Sequence, residues 1–215
     1  PRKDELIAQG TYVHRDAGGR VIKTENFRIL KGKTGGRTIE SDVHAAGESL
    51  EVVESAGADG ETRFAQVTRR GPSRRVERTR YSRDGDTLYA TLRGGETGIA
   101  EQTVRVPARF ALRTEAAATA GLKGRSDLPR GCVYDTSEPG QVLGRLCEAS
   151  WELLPRESVF VAAGELPARH LVESRRGETV HTWVHAELGI PVWGRKGSGT
   201  FELATLDIPN AETRK

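Results

Sequence analysis

The chain has 215 residues, 36% of them hydrophobic, 29% charged and 6% aromatic, with 25 glycines, no methionine and a formal net charge of +3. No apolar run reaches the ~18 residues that a membrane-spanning helix needs, and apolar residues recur along the whole length, which excludes a disordered chain. A charge this small does not mark a nucleic-acid binder, and no nucleic-acid partner is expected.

The chain begins at Pro1 without an initiator methionine. We expect a mature chain from which a leader has been removed, placed in the periplasm or outside the cell. From about residue 10 the pattern has period two. TYVHR leads into Gly18–Gly19, and VIKTENFRIL follows, with Lys23, Glu25, Phe27 and Ile29 on one side. Two such runs around a Gly pair predict a hairpin. GRTIESDVHA and SLEVVESAG flank Gly47, ETRFAQVTRR follows Gly60, and RRVERTRYSR leads through Asp84-Gly85-Asp86 into TLYATLR. This spacing predicts an antiparallel meander over about residues 10–106, not βαβ units.

The stretch ARFALRTEAAATAGLKG after Pro107 is rich in Ala, Leu and Glu. It predicts a short helix near 109–120, within an insertion over about 107–124. Strands then resume over about 130–208. VYD and VLGRL flank the Pro139-Gly140 turn and bring Cys132 towards Cys147. Two alternatives stand for these residues. A disulfide would contribute roughly 3 kcal/mol and imply an oxidising compartment; otherwise they are buried, reduced thiols. The last residues, 209–215, read as a polar tail.

These elements predict one β-rich domain over 1–208. It is mainly β, a large curved antiparallel sheet forming a half-barrel or open barrel, with one or two short helices inserted. An open sheet of about ten or more strands must curl or be covered, and its concave apolar face is a natural ligand site.

GTYVHRDAGGRVIKTENFRIL near the start, and AGELPARHL followed by ETVHTWVHAELGIPVWGR near the end, resemble uncharacterised periplasmic or secreted bacterial proteins related to the Lol-type lipoprotein carriers. The resemblance covers most of the chain in strand order and is motif-specific over about residues 160–195. It implies an open half-barrel with a helical lid, a location in the cell envelope and a hydrophobic or lipid-like ligand. The scarcity of Leu, Phe and Met leads us to expect a shallow or narrow site.

Candidate ligand-lining residues are Trp151, Trp183, Trp193, Phe27 and Phe160, because an aromatic at the mouth of a concave face gains area and keeps its polar edge partnered. The other sharp feature is an arginine row. Arg74, Arg78 and Arg80 share one strand face with Val76, where they would contact an anionic surface or a protein partner. His181 and His185 are about 13 Å apart on a strand, too far to share a metal. No G-x-S-x-G elbow and no phosphate loop occurs, and nothing assembles a nucleophile with its base. No metal or other cofactor is expected. The expected function is an envelope binding or carrier protein whose concave face holds a hydrophobic or amphiphilic ligand. The alternative is a non-enzymatic envelope scaffold that docks through its arginine strand.

Overall fold

Glycine-centred turns close the hairpins that the sequence predicts. Gly19 and Gly85 have φ of 79° and 57°, backbone that side-chain-bearing residues adopt only at a cost. The computed structural model describes residues 4–72, 76–94, 98–107, 110–120, 130–136 and 143–209. Its strands are β1 (Glu5–Arg15), β2 (Val21–Lys31), β3 (Arg37–Ala45), β4 (Glu48–Ala56), β5 (Thr62–Arg70), β6 (Val76–Asp84), β7 (Thr87–Gly94), β8 (Ile99–Arg105), β9 (Phe110–Arg113), β10 (Arg130–Asp135), β11 (Arg145–Val161), β12 (Gly164–Arg175), β13 (Glu178–His185), β14 (Pro191–Lys196) and β15 (Gly199–Asp207). They form one 15-stranded sheet in the order β8-β7-β6-β5-β4-β3-β2-β1-β15-β14-β13-β12-β11-β10-β9. β15 closes onto β1, so the two meanders join along the first and last strands of the chain. Among the described residues, only β9 and β10 pair in parallel.

The sheet rolls up as a spiral. Cross-strand register puts Ala8, Phe27, Ile29, Ile39, Glu54 and Ala65 on one face, and this face is buried. The far end of the sheet tucks against it. Phe110, Leu112 and Tyr134 of β9–β10 pack with Ala65, Tyr81, Leu88, Ala90 and Leu92 of β5–β7. The Tyr81 hydroxyl donates to the Leu143 carbonyl at 3.0 Å, and Val106 N–H donates to Asp86 O at 2.7 Å. The opposite face of β10, with Val133 and Asp135, is buried as well. The ends therefore overlap through side chains instead of pairing edge to edge.

Two aromatic rings lie over glycines. Gly10 faces Phe27 and Gly194 faces Phe201 across neighbouring strands. A Cβ at Gly194 would sit 2.3 Å from the Phe201 ring. Ring and β-carbon cannot both occupy that space. Gly194→Ala should cost about 2 kcal/mol by overpacking, read from urea denaturation; an unchanged midpoint would show that Phe201 does not fill this place.

β11 is 17 residues long and bends where its register shifts between Leu153 and Arg156. Pro155 lies in this bulge, where a missing N–H disturbs no regular pairing. Beyond the bend, the β11–β12 hairpin folds over. Ala163 N–H donates to Leu203 O at 3.1 Å, and Val161, Ala163 and Leu166 pack on the cluster around Tyr12.

Two expectations are corrected. The helix over 109–120 does not form. Phe110–Arg113 is strand, and only Ala117–Ala120 makes a single 3-10 turn. Alternation at Phe110 and Leu112 lets a strand bury both in the overlap, which outweighs the helix propensity of the surrounding alanines. Residues 108, 109 and 121–124 of the expected insertion, and most of the tail, lie outside the described residues. Cys132 and Cys147 are both free. Cys132 stands opposite Glu148 and Cys147 opposite Val133. This offset of one residue sends the thiols to opposite faces of the sheet.

Candidate functional site

The concave face carries charge inside an apolar surround. Glu25 lies between Thr24 and Asn26 on β2, with the same parity as Phe27 and Ile29. The strand's alternation therefore turns its carboxylate inward, where it is fully buried. It meets the 3-10 turn after β9, which touches both β3 and β14. Ala117 N–H donates to Glu25 Oε2 at 2.6 Å and Ala118 N–H donates to Oε1 at 3.0 Å. These are amides at the start of the 3-10 turn, which lack partners within the turn itself.

The segment has further anchors. Lys23 Nζ donates to Glu115 O at 3.0 Å, and Arg69 pairs with the Glu115 carboxylate. The Thr114 and Thr119 hydroxyls bond at 2.7 Å, and Thr119 Oγ1 donates to Ala116 O at 2.9 Å. The turn is thus compact and small. Its alanines press on two apolar clusters, one with Tyr12, Phe27, Ile29, Ile39, Ile190 and Leu203, the other with Val43, Leu50 and Val52. It plugs the concave face with methyl groups.

Beside the plug stand His14 and Tyr12. His14 Nε2 is 3.5 Å from Glu25 Oε2. Burial lowers the His14 pKa despite that neighbour, which favours the neutral ring. Burial, with the Glu25 charge adding, pushes Tyr12 well above its ordinary range. The Tyr12 hydroxyl donates to Pro191 O at 2.8 Å.

The same face continues across the C-terminal strands through the ladder His14, Phe201, Gly194, Thr182 and Leu171. It ends in an ionic network. Glu173 accepts from Arg113, from Arg175 Nε at 3.3 Å and from Trp151 Nε1 at 3.1 Å, while Arg175 also pairs with Asp135. All of these charged side chains are nearly buried.

A narrow hollow of ≈150 Å³ opens at one end of the roll, between the β2–β3, β4–β5 and β13–β14 turns. Ile29, Ile39, Leu188 and Ile190 give it apolar walls, the buried Glu54 carboxylate joins them, and Arg37 also lines it. Arg37 Nη1 donates to Leu188 O at 2.8 Å and ties two of these turns together. Among the described residues, no group of His, Cys, Asp or Glu side chains suits a metal ion.

The aromatic residues expected to line one mouth are dispersed. Phe27 is in the concave cluster, and Trp151 is at the ionic network. Trp183 and Trp193 lie on the other face, where Trp183 stacks on His170 at 3.9 Å between centroids and donates to Glu157 Oε1 at 2.5 Å. Phe160, near the tip of the β11–β12 hairpin, is 77% exposed. Arg78 and Arg80 lie exposed on the convex face of β6; Arg74 is outside the described residues. Sequence reasoning missed Glu25, Glu173, Arg113, Arg175 and Asp135 as inward-facing groups. A signal existed for Glu25, a charge in the same alternating row as Phe27 and Ile29.

No protein-family model and no curated protein matches the chain. Among solved structures, it is similar to a β-barrel-like protein of a domain of unknown function, DUF1849, from Brucella abortus. The TM-score is 0.60 at 11% identity, over 97% of this chain and 100% of that one. Two others cover 96% of this chain and 97% of their own at 10% identity: a candidate lipoprotein from Parabacteroides distasonis, TM-score 0.36, and a candidate exported protein with a YmcC-like fold from Bacteroides fragilis, TM-score 0.32. Neither of these carries weight at that score. The first establishes the β-barrel-like fold.

Proposed function

We propose that the chain is a cell-envelope carrier, periplasmic or secreted, that holds a hydrophobic or amphiphilic ligand on its concave face in the manner of the Lol-type half-barrels. One observation carries this reading. A continuous apolar surface of Tyr12, Phe27, Ile29, Ile39, Ile190 and Leu203 is covered by a turn of alanines that a single buried carboxylate caps. An acyl chain would replace the methyl groups of the plug against the same apolar wall, and the exchange would take from Glu25 the two amides that it accepts from.

The hollow beside Ile39 and Ile190 is the entry. At ≈150 Å³ it falls below the ~300 Å³ at which pockets begin to take a whole small molecule, so it receives the end of a chain. Withdrawal of the plug lengthens it into the roll. Arg37 in its lining suits an anionic head group.

The test is native mass spectrometry, with displacement of an apolar fluorescent probe, after incubation with lauric acid or phosphatidylglycerol. We expect one ligand per chain and a loss of at least tenfold in affinity for Ile39→Arg, which puts a charge on the wall. Protein that stays empty with both lipids would overturn the reading.

A further inference from the structure

We propose that the convex face of β6–β8 is a docking surface for an anionic lipid bilayer. The reading does not rest on the carrier function, because the face is on the other side of the sheet from the plug.

Three observations meet there. First, Arg78 of β6 stands directly opposite Arg93 of β7. Like charges in that position repel, and neither side chain has an ion-pair or hydrogen-bond partner among the described residues. Arg80, on the same face, donates from Nε to Gln66 Oε1 at 3.0 Å, a neutral partner, and has no acidic partner among the described residues. The acidic side chain of the neighbouring strand on this face is Glu101, opposite Thr91, against which the arginines are in excess.

Second, the guanidinium groups surround space. Val76, Arg78, Arg80, Thr91, Arg93 and Gly94 line a hollow of ≈290 Å³. Convergent guanidinium groups around an open hollow match the oxygens of a phosphate, which arginine can grip in pairs.

Third, the arginines alternate with exposed apolar side chains. Val76 is 44% exposed, Tyr89 45% and Ile99 67%. Register puts Ile99 opposite Arg93, and Tyr89 two places along β7 from Thr91. An ordinary solvated sheet face would place polar groups there. Apolar and aromatic tips interleaved with arginines that have no acidic partner among the described residues suit the boundary of a bilayer, where the tips enter the head-group layer and the guanidinium groups take its phosphates. A nucleic acid would not reward Ile99 and Val76, and a protein partner would need carboxylates at matched positions where a lipid surface needs only density of charge.

Vesicle sedimentation tests the proposal. The probes are vesicles of phosphatidylcholine alone, vesicles with roughly one third phosphatidylglycerol, to which each basic residue near the surface contributes ~1 kcal/mol, and inorganic phosphate. The wild-type chain should bind only the phosphatidylglycerol vesicles, and less in high salt. The double change Arg78→Gln and Arg93→Gln should weaken partitioning roughly 25-fold, about fivefold for each charge. Tyr89→Ser with Ile99→Ser should weaken it with the salt dependence retained. These positions are exposed, so thermal melting should be unchanged and serves as the folding control. Equal binding to both vesicle types, or undiminished binding by the arginine variant, would overturn the proposal. Protection of the chain by inorganic phosphate without vesicle binding would assign the hollow to a free anion and overturn it equally.

Discussion

Replacing Glu25 with alanine should release the plug. The carboxylate accepts from the amides of Ala117 and Ala118, and among the described residues no other side chain bonds to either amide. The variant leaves two donors without partners in an apolar surround, each worth about 1–3 kcal/mol when unsatisfied. It also vacates the space of a fully buried side chain. We expect a loss of about 3 kcal/mol by urea denaturation. We also expect the amides of Ala117 and Ala118 to exchange hydrogen faster than those of β1 and β2. An apolar fluorescent probe should bind the variant better than the wild type, because the Tyr12–Phe27 surface is uncovered. Glu25→Gln should fall between, since its amide group can accept from one N–H but turns a donor towards the other. Glu40→Ala is the control. Glu40 pairs with Arg28 in an exposed ion pair at 2.5 Å, and such pairs contribute about 0–1 kcal/mol. A Glu25→Ala chain as stable as the control, with slow exchange at Ala117, would remove the latch from the mechanism.

The meander was legible because its punctuation is local. Gly19, Gly47, Gly60 and Gly85 each take positive φ in a turn, and the runs between them alternate in period two. Neither signal needs knowledge of distant residues. The turn at Ala117–Ala120 was not legible, because alanine is ambiguous. In isolation AAATA promotes a helix; in this roll it is the residue small enough to lie against Phe27 and Ile190. The overlap of the sheet ends was hidden for a similar reason. Phe110 and Leu112 alternate, but their partners Ala65, Leu88 and Leu92 lie on the meander's other side of the chain, and one sequence does not state which face meets which. The tryptophans divide between the two faces. Register puts Trp183 and Trp193 with Glu202 and Val13 on the face opposite to Tyr12 and Leu203. The cysteines failed on register too. A turn that brings two strands together fixes neighbourhood, but a shift of one residue decides whether two thiols meet.

Glu173→Ala should unfasten the end of the spiral. Arg113 sits on β9, Asp135 on β10, Trp151 on β11, and Glu173 with Arg175 on β12. The network therefore spans four consecutive strands with Glu173 at its centre. Among the described residues, β9 has β10 as its one strand partner, so little else described on this face holds it. Removing a buried anion shared by two guanidinium groups leaves positive charge without compensation, which costs about 3–5 kcal/mol where the whole pair replaced by apolar groups costs little. Two results separate these effects. Glu173→Ala alone should lower stability by about 3 kcal/mol or more and shift the Trp151 emission, because the indole N–H loses its acceptor. Arg113→Met with Glu173→Leu should recover much of the loss, since Arg175 keeps Asp135. A double-mutant cycle on Arg113 and Glu173 should give a coupling of about 2 kcal/mol, within the range for groups in one network. A coupling below about 0.5 kcal/mol, the scatter of independent sites, would mean that the network is incidental. In that case the overlap is held by Phe110, Leu112 and Tyr134 alone, and Phe110→Ala should cost more than Glu173→Ala.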